Sequence, residues 1–172
     1  MDSKVTGPSA IVPEGLLETG PDGPDTSRFE ILDLFTVRFA MLARLMDRES
    51  KQLLDINFGL SLAEWRILAI LAISGPMTVS DLAEQGGFDK SQISRAVASM
   101  EEAGRVTRSD SPTDGRSAII SLAEEGSALY GKMIPVIRER NRRLLALMTP
   151  DQRATLYEAM DILTNHLREK MD

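Results

Sequence analysis

Between Asp89 and Ser117 the chain reads DKSQISRAVASMEEAGRVTRSDSPTDGRS, in which short hydroxyl and amide side chains are interspersed with Lys90, Arg95, Arg105, Arg108 and Arg116. Such groups exchange hydrogen bonds and neutralise anions without making or breaking covalent bonds. The rest of the sequence offers little for covalent catalysis. Cysteine is absent, which excludes disulfides, thiolate nucleophiles, Cys-ligated zinc and thiol-based peroxide sensing. His166 is the only histidine, so neither a Ser-His-Asp triad nor a multi-His metal site can be built within one chain. Glu101 and Glu102 are neighbours on a helical pattern, pointing about 100° apart, and do not converge on one substrate. These residue types favour non-covalent recognition over catalysis and require no metal or cofactor.

On a 3.6-residue wheel, Ile93, Ala96, Val97 and Met100 fall together, while Ser91, Ser94, Arg95, Ala98 and Ser99 face the other way. The second face is small and polar, with Arg95 near its middle, and permits close approach to another surface. The major groove of duplex DNA admits an α-helix, and Ser, Gln and Arg can hydrogen-bond base edges there. Ser91, Gln92 and Arg95 are the first base-contact candidates, with Ser94 and Ser99 next. Lys90 and the cap residues Thr78 and Ser80 suit phosphates. Arg108 lies on the β-branched run that follows. Arg116, beside Asp114 and Gly115, projects from a narrow turn suited to the minor groove, with Asp114 placed to hold it by an ion pair.

Flanking signals define the elements that must position these side chains. SLAE at 61–64 matches a capping box opening a helix that ends near Ser74 and Gly75. TVSD at 78–81 opens a short helix that stops at Gly86 and Gly87. In DKSQ at 89–92, Asp89 can cap the next helix while Gln92 returns to it, and Gly104 marks that helix's end. Two short capped helices separated by a Gly turn make a helix-turn-helix. RVTRS and SAIISL, separated by turn formers, read as a hairpin wing. SLAE at 121–124 predicts another box opening a helix through Met148, and TPDQ at 149–152 puts Pro150 in the first turn of the last helix. Long helices bracket the reader, over about 29–57 and 122–170, and Leu156, Met160, Leu163 and Leu167 form one seam of the last.

The fold class expected is therefore mainly α with a small β-hairpin wing: a winged helix-turn-helix over about 60–122 between long N- and C-terminal helices, forming one domain from 28 to 172. Residues 1–27, rich in Pro and Gly, read as a disordered acidic arm. The formal net charge is -6, yet this arm sets Lys4 against five acids, so residues 28–172 carry only -2. The longest wholly apolar stretch, ILAILAI at 67–73, is too short to span a bilayer, and no basic segment precedes an apolar run near the start. A cytoplasmic location without a membrane partner is expected.

TVSDLAE, SQISRAVASMEEAGRVTRS and SPTDGRSAIISLAEEG, in that order, resemble the MarR-type winged helix-turn-helix regulators, a likeness running from about Phe29 to the C-terminus. The family pattern often begins its wing loop with Asp-Pro and follows the wing with Leu-Thr, where this chain has Ser111-Pro112 and Leu122-Ala123. The resemblance implies a homodimer formed by the first and last two helices, with two recognition helices in successive major grooves of a palindromic double-stranded DNA operator. It implies a ligand-responsive repressor, with a small aromatic or anionic effector bound between the dimer helices and the DNA-binding lobe. Phe39, Trp65 and Arg66 are the pocket candidates, Arg66 as a carboxylate partner and Trp65 equally readable as core. The seam of the last helix agrees with dimerisation, although such a seam can also pack within one subunit. The acidic balance of residues 76–122, five cations against seven acids, leaves open a winged-helix protein-interaction module without DNA binding.

Overall fold

The computed structural model describes residues 34–110 and 118–170. The chain divides after Asn57 into two compact units. The described part of the first is a single helix, α1 (Phe35–Phe58), whose amino end is closed by the Leu34 carbonyl accepting from Val37 and Arg38. The sequence pattern starts this helix at Phe29, and residues 29–33 lie outside the described residues, as does the 1–27 arm. Leu54 is buried, whereas Phe35, Phe39, Leu42, Leu45 and Met46 are exposed.

The second unit begins with α2 (Leu62–Ser74), where Ser61 and Glu64 complete the expected capping box. Pro76 follows the helix end, and the chain then makes a two-residue strand, β1 (Met77–Thr78). Thr78 and Asp81 cap α3 (Val79–Gly86), and Gly87, at φ 67°, turns the chain left-handed between this helix and α4 (Lys90–Glu102). That conformation costs an L side chain about 1 kcal/mol or more, which Gly avoids. Asp89 caps α4 by accepting from the Gln92 N–H, but Gln92 does not reach back; the Ser91 hydroxyl donates to Asp89 instead.

Strands β2 (Val106–Asp110) and β3 (Ala118–Leu122) form the expected hairpin, with Arg108 opposite Ile120. β1 adds to the far edge of β3, Met77 opposite Ile120, giving an antiparallel sheet in the order β1-β3-β2. Two residues carry no readable periodicity, so β1 was not visible in the sequence. The buried side chains Ile67, Leu68 and Leu71 of α2, Leu82 of α3, Ile93, Val97 and Met100 of α4, Val106 and Ile120 of the sheet and Met133 form this unit's interior. Each stabilises the fold by about 1.5–3 kcal/mol relative to exposure.

The long helix α5 (Glu124–Leu145) departs from expectation at both ends. Ser121 is not its cap. It stays in β3 opposite Thr107, and the N-cap is Ala123, which has no side-chain oxygen to offer. The Ala123 N–H donates to the Arg105 carbonyl, tying the helix start to the loop after α4. At the other end the chain tightens into bonds from Leu147 to Leu144 and from Met148 to Leu145, ending α5 three residues before Met148. Thr149 and Gln152 then cap α6 (Pro150–Glu169), with Pro150 in its first turn. None of the described α6 residues is buried, and the Leu156, Met160, Leu163 and Leu167 seam is 39–57% exposed.

Gly126 explains how α5 approaches the sheet so closely. It is buried, and a Cβ there would collide with the Arg105 carbonyl oxygen, a backbone atom that cannot swing aside. Gly126→Ala is expected to cost about 1–3 kcal/mol by chemical denaturation. Gly131→Ala, on the same helix with nothing within 4 Å of the added methyl, should gain about 0.5–1 kcal/mol.

Candidate nucleic-acid interface

Burial of Ile93, Ala96, Val97 and Met100 turns the opposite face of α4 outward, and Lys90, Ser91, Gln92, Ser94, Arg95 and Ser99 are all exposed. The sequence-derived reading face is thus one continuous helix surface. Beside it, Thr78, Ser80, Lys90, Ser94 and Arg108 line a single concavity of about 250 Å3 between the start of α3, the start of α4 and the base of the wing. Val79 and Ala118 complete its wall; they carry no charge or hydrogen-bonding side chain, and nothing in the sequence singled them out.

Local chemistry decides which groups remain available there. The Thr78 hydroxyl donates to Asp81 Oδ2 at 2.8 Å and accepts the Asp81 N–H at 3.2 Å. What the amino end of α3 offers an anion is therefore its first amides, at Val79 and Ser80, which have no intrahelical acceptor. Arg108 Nε donates to Glu101 Oε2 at 3.2 Å, with both side chains about 40% exposed. A screened pair of this kind is worth at most about 1 kcal/mol, so it orients Arg108 without withholding it from a phosphate. Asp89 stands below the usual carboxylate range, first because the Ser91 hydroxyl donates to it, then because the Gln92 N–H does and because Arg95 is nearby.

Ser99 differs from its neighbours. Its hydroxyl donates to Glu64 Oε1 at 2.9 Å, a contact spanning 35 residues that no local pattern signals. Asp114 and Arg116, the wing-tip pair, lie outside the described residues. Of the effector candidates, Phe39 is exposed on α1 with its ring 5.7 Å from that of Phe35. Trp65 is stacked on Tyr130 of α5 at 6.0 Å. Arg66 donates through Nη1 to the Gly86 carbonyl at 2.8 Å and lies 4.8 Å above the Phe88 ring, so it holds the turn between α3 and α4.

The arrangement of helix-turn-helix, outward polar face and wing matches a known family. The MarR family profile matches residues 58–117. A helix-turn-helix-type transcriptional repressor of Mycobacterium tuberculosis is 32% identical over 96 residues, covering 55% of this chain and 69% of the relative. The chain belongs to the MarR family. The uncharacterised helix-turn-helix-type transcriptional regulator YfiV of Bacillus subtilis is 29% identical over 112 residues, or 65% of this chain and 70% of that one. A MarR family transcriptional regulator from Streptomyces coelicolor, solved in complex with DNA, superposes with a TM-score of 0.71 at 26% identity, covering 83% of this chain and 92% of that one. Members of the family are DNA-binding regulators of transcription and not enzymes. Among the described residues no single helix is long and apolar enough to cross a membrane.

The Asp89 cap gives the reading helix a pH dependence of definite sign. Because the carboxyl is held below its ordinary pKa, its contribution is complete above the unfolded value of about 4 and is lost as pH falls through the lower folded value. The gap in thermal midpoint between the wild type and Asp89→Ala should be full at pH 7 and close progressively below about pH 4.

Proposed function

We propose that this MarR-family protein is a homodimeric repressor that reads a palindromic DNA operator in the cytoplasm and releases it on binding a small aromatic or anionic effector. The observation that carries the reading is the convergence of Thr78, Ser80, Lys90, Ser94 and Arg108 on one concavity alongside the exposed face of α4. Ser91, Gln92 and Arg95 meet base edges in the major groove, while the amides opening α3, Lys90 and Arg108 hold the flanking phosphates. Arg116, steadied by Asp114, enters the neighbouring minor groove. Dimerisation uses the apolar faces of α1, α5 and α6, which leave Leu45, Leu163 and Leu167 in solvent in a single chain. The effector acts by shifting the spacing of the two lobes away from the grooves.

The acidic balance of residues 76–122 is what favours the other reading, a protein-interaction module. A salt titration separates them, since phosphate contact makes affinity fall steeply with salt and a flat response would remove DNA binding. Selection of bound sequences from random duplex DNA tests the operator directly and should return an inverted repeat. On that operator, Arg95→Ala is expected to cost about 1–3 kcal/mol and relax preference at one base. Lys90→Ala should weaken operator and unrelated duplexes alike and lower the salt slope by about 1. Leu163→Glu should give a monomer by analytical ultracentrifugation and abolish operator binding; a dimer retained in that variant places the subunit contact elsewhere.

A further inference from the structure

Glu64 is the one charged residue buried among the described residues, at 8% exposure. A carboxylate in such a position is costly unless fully hydrogen-bonded. Capping explains only half of its bonding. Glu64 Oε2 alone accepts both the Ser61 N–H and the Ser61 hydroxyl, each at 2.8 Å. In the box that opens α3, Asp81 Oδ2 likewise takes both Thr78 donors, at 3.1 and 2.8 Å, from a side chain left in solvent. A cap therefore needs neither burial nor a second oxygen. The second oxygen of Glu64 goes to the Ser99 hydroxyl, on the outward side of α4.

Two residues further along α2, Arg66 holds the other end of the same assembly, at the Gly86 carbonyl and the Phe88 ring, just before α4 begins. Ser99 lies nine residues, or roughly 14 Å of helix rise, beyond Lys90, whereas Gly86 closes α3 and Phe88 stands in the turn before Lys90. Apolar contacts through Ile93, Val97 and Met100 hold α4 against its neighbours but tolerate small slides and rolls. A directional bond at Ser99, together with a turn held in place just before Lys90, restricts both.

We propose that Glu64 and Arg66 are positioning residues for sequence reading: acting through Ser99 and through the turn before α4, they fix the axial position and roll of the recognition helix. This rests on the DNA-reading function proposed above. It assigns Ser99 to holding the helix in place rather than to touching a base.

The test compares affinity for the operator selected by the wild type with affinity for an unrelated duplex of equal length, at one salt concentration. The proteins are the wild type, Glu64→Gln, Ser99→Ala, the Glu64→Gln/Ser99→Ala double variant and Arg66→Met. The ratio of the two affinities should fall about tenfold in each single variant, within the range of one misplaced base contact, while the salt slope stays unchanged. The double variant should be no worse than the more affected single one, because Ser99 acts through Glu64. Should Glu64→Gln or Arg66→Met not fold, Ser99→Ala, which leaves the Ser61 cap intact, carries the comparison. An unchanged ratio in the folded variants, or independent losses that add in the double variant, overturns the proposal and in the second case makes Ser99 a direct reader. A wild type that selects no sequence at all removes the DNA-reading function itself, whereas selection with unchanged ratios removes only the positioning role.

Discussion

The interaction on which the rest depends is the one-sided burial of α4. A helix that enters a groove must expose a face free of bulk, yet a short helix is only marginally stable in water and needs packing to exist. Ile93, Val97 and Met100, all fully buried, supply that packing on one side. The opposite side is then free to carry serines and one arginine. Asp89 at the start and the Gly104 turn at the end, at φ 67°, set the limits of the helix without adding bulk to its exposed face.

The same economy governs the electrostatics. A formal charge of -6 is unpromising for a protein that approaches a polyanion. What a phosphate meets, however, is a local field within about a Debye length of 8–10 Å. Lys90, Arg108 and the first amides of α3 share one concavity, whereas Asp81 and Asp89 are turned to their own caps. Two of the acids near this surface are thus occupied in hydrogen bonds that hold the helices. Glu101 instead makes an exposed pair with Arg108 that is weak enough to be exchanged for a phosphate.

Most of this was legible in the sequence because it is local. Ser61 with Glu64, Thr78 with Asp81 and Thr149 with Gln152 act over three residues, and each appears as a complete box. The alternation of core and surface along α4 is equally local. One departure is local, at Asp89, where Ser91 and not the Gln92 side chain completes the cap; the others occur where a distant partner decides. The letters SLAE occur twice, and at 121–124 they do not cap, because Ser121 is held in β3 opposite Thr107 and the start of α5 is fixed by the Arg105 carbonyl instead. Ser99 is indistinguishable by type from Ser91 and Ser94, and only the approach of α2 separates it from them. Arg66 makes a second such contact, its guanidinium donating to a carbonyl 20 residues away.

These non-local contacts share a direction. The Arg105 carbonyl accepts from Ala123 and lies where a side chain at Gly126 would stand, fixing α5 to the point where α4 gives way to the wing. Trp65 on Tyr130 joins α5 to α2, and Glu64 and Arg66 join α2 to α4 and its preceding turn. α5 is therefore tied to α4 by two routes, one through a backbone hydrogen bond just past the carboxyl end of α4 and one through side chains of α2 that reach Ser99 and the turn before α4. Within this unit, then, α5 and α4 are joined by a backbone hydrogen bond, a ring stack and side-chain hydrogen bonds as well as by apolar packing.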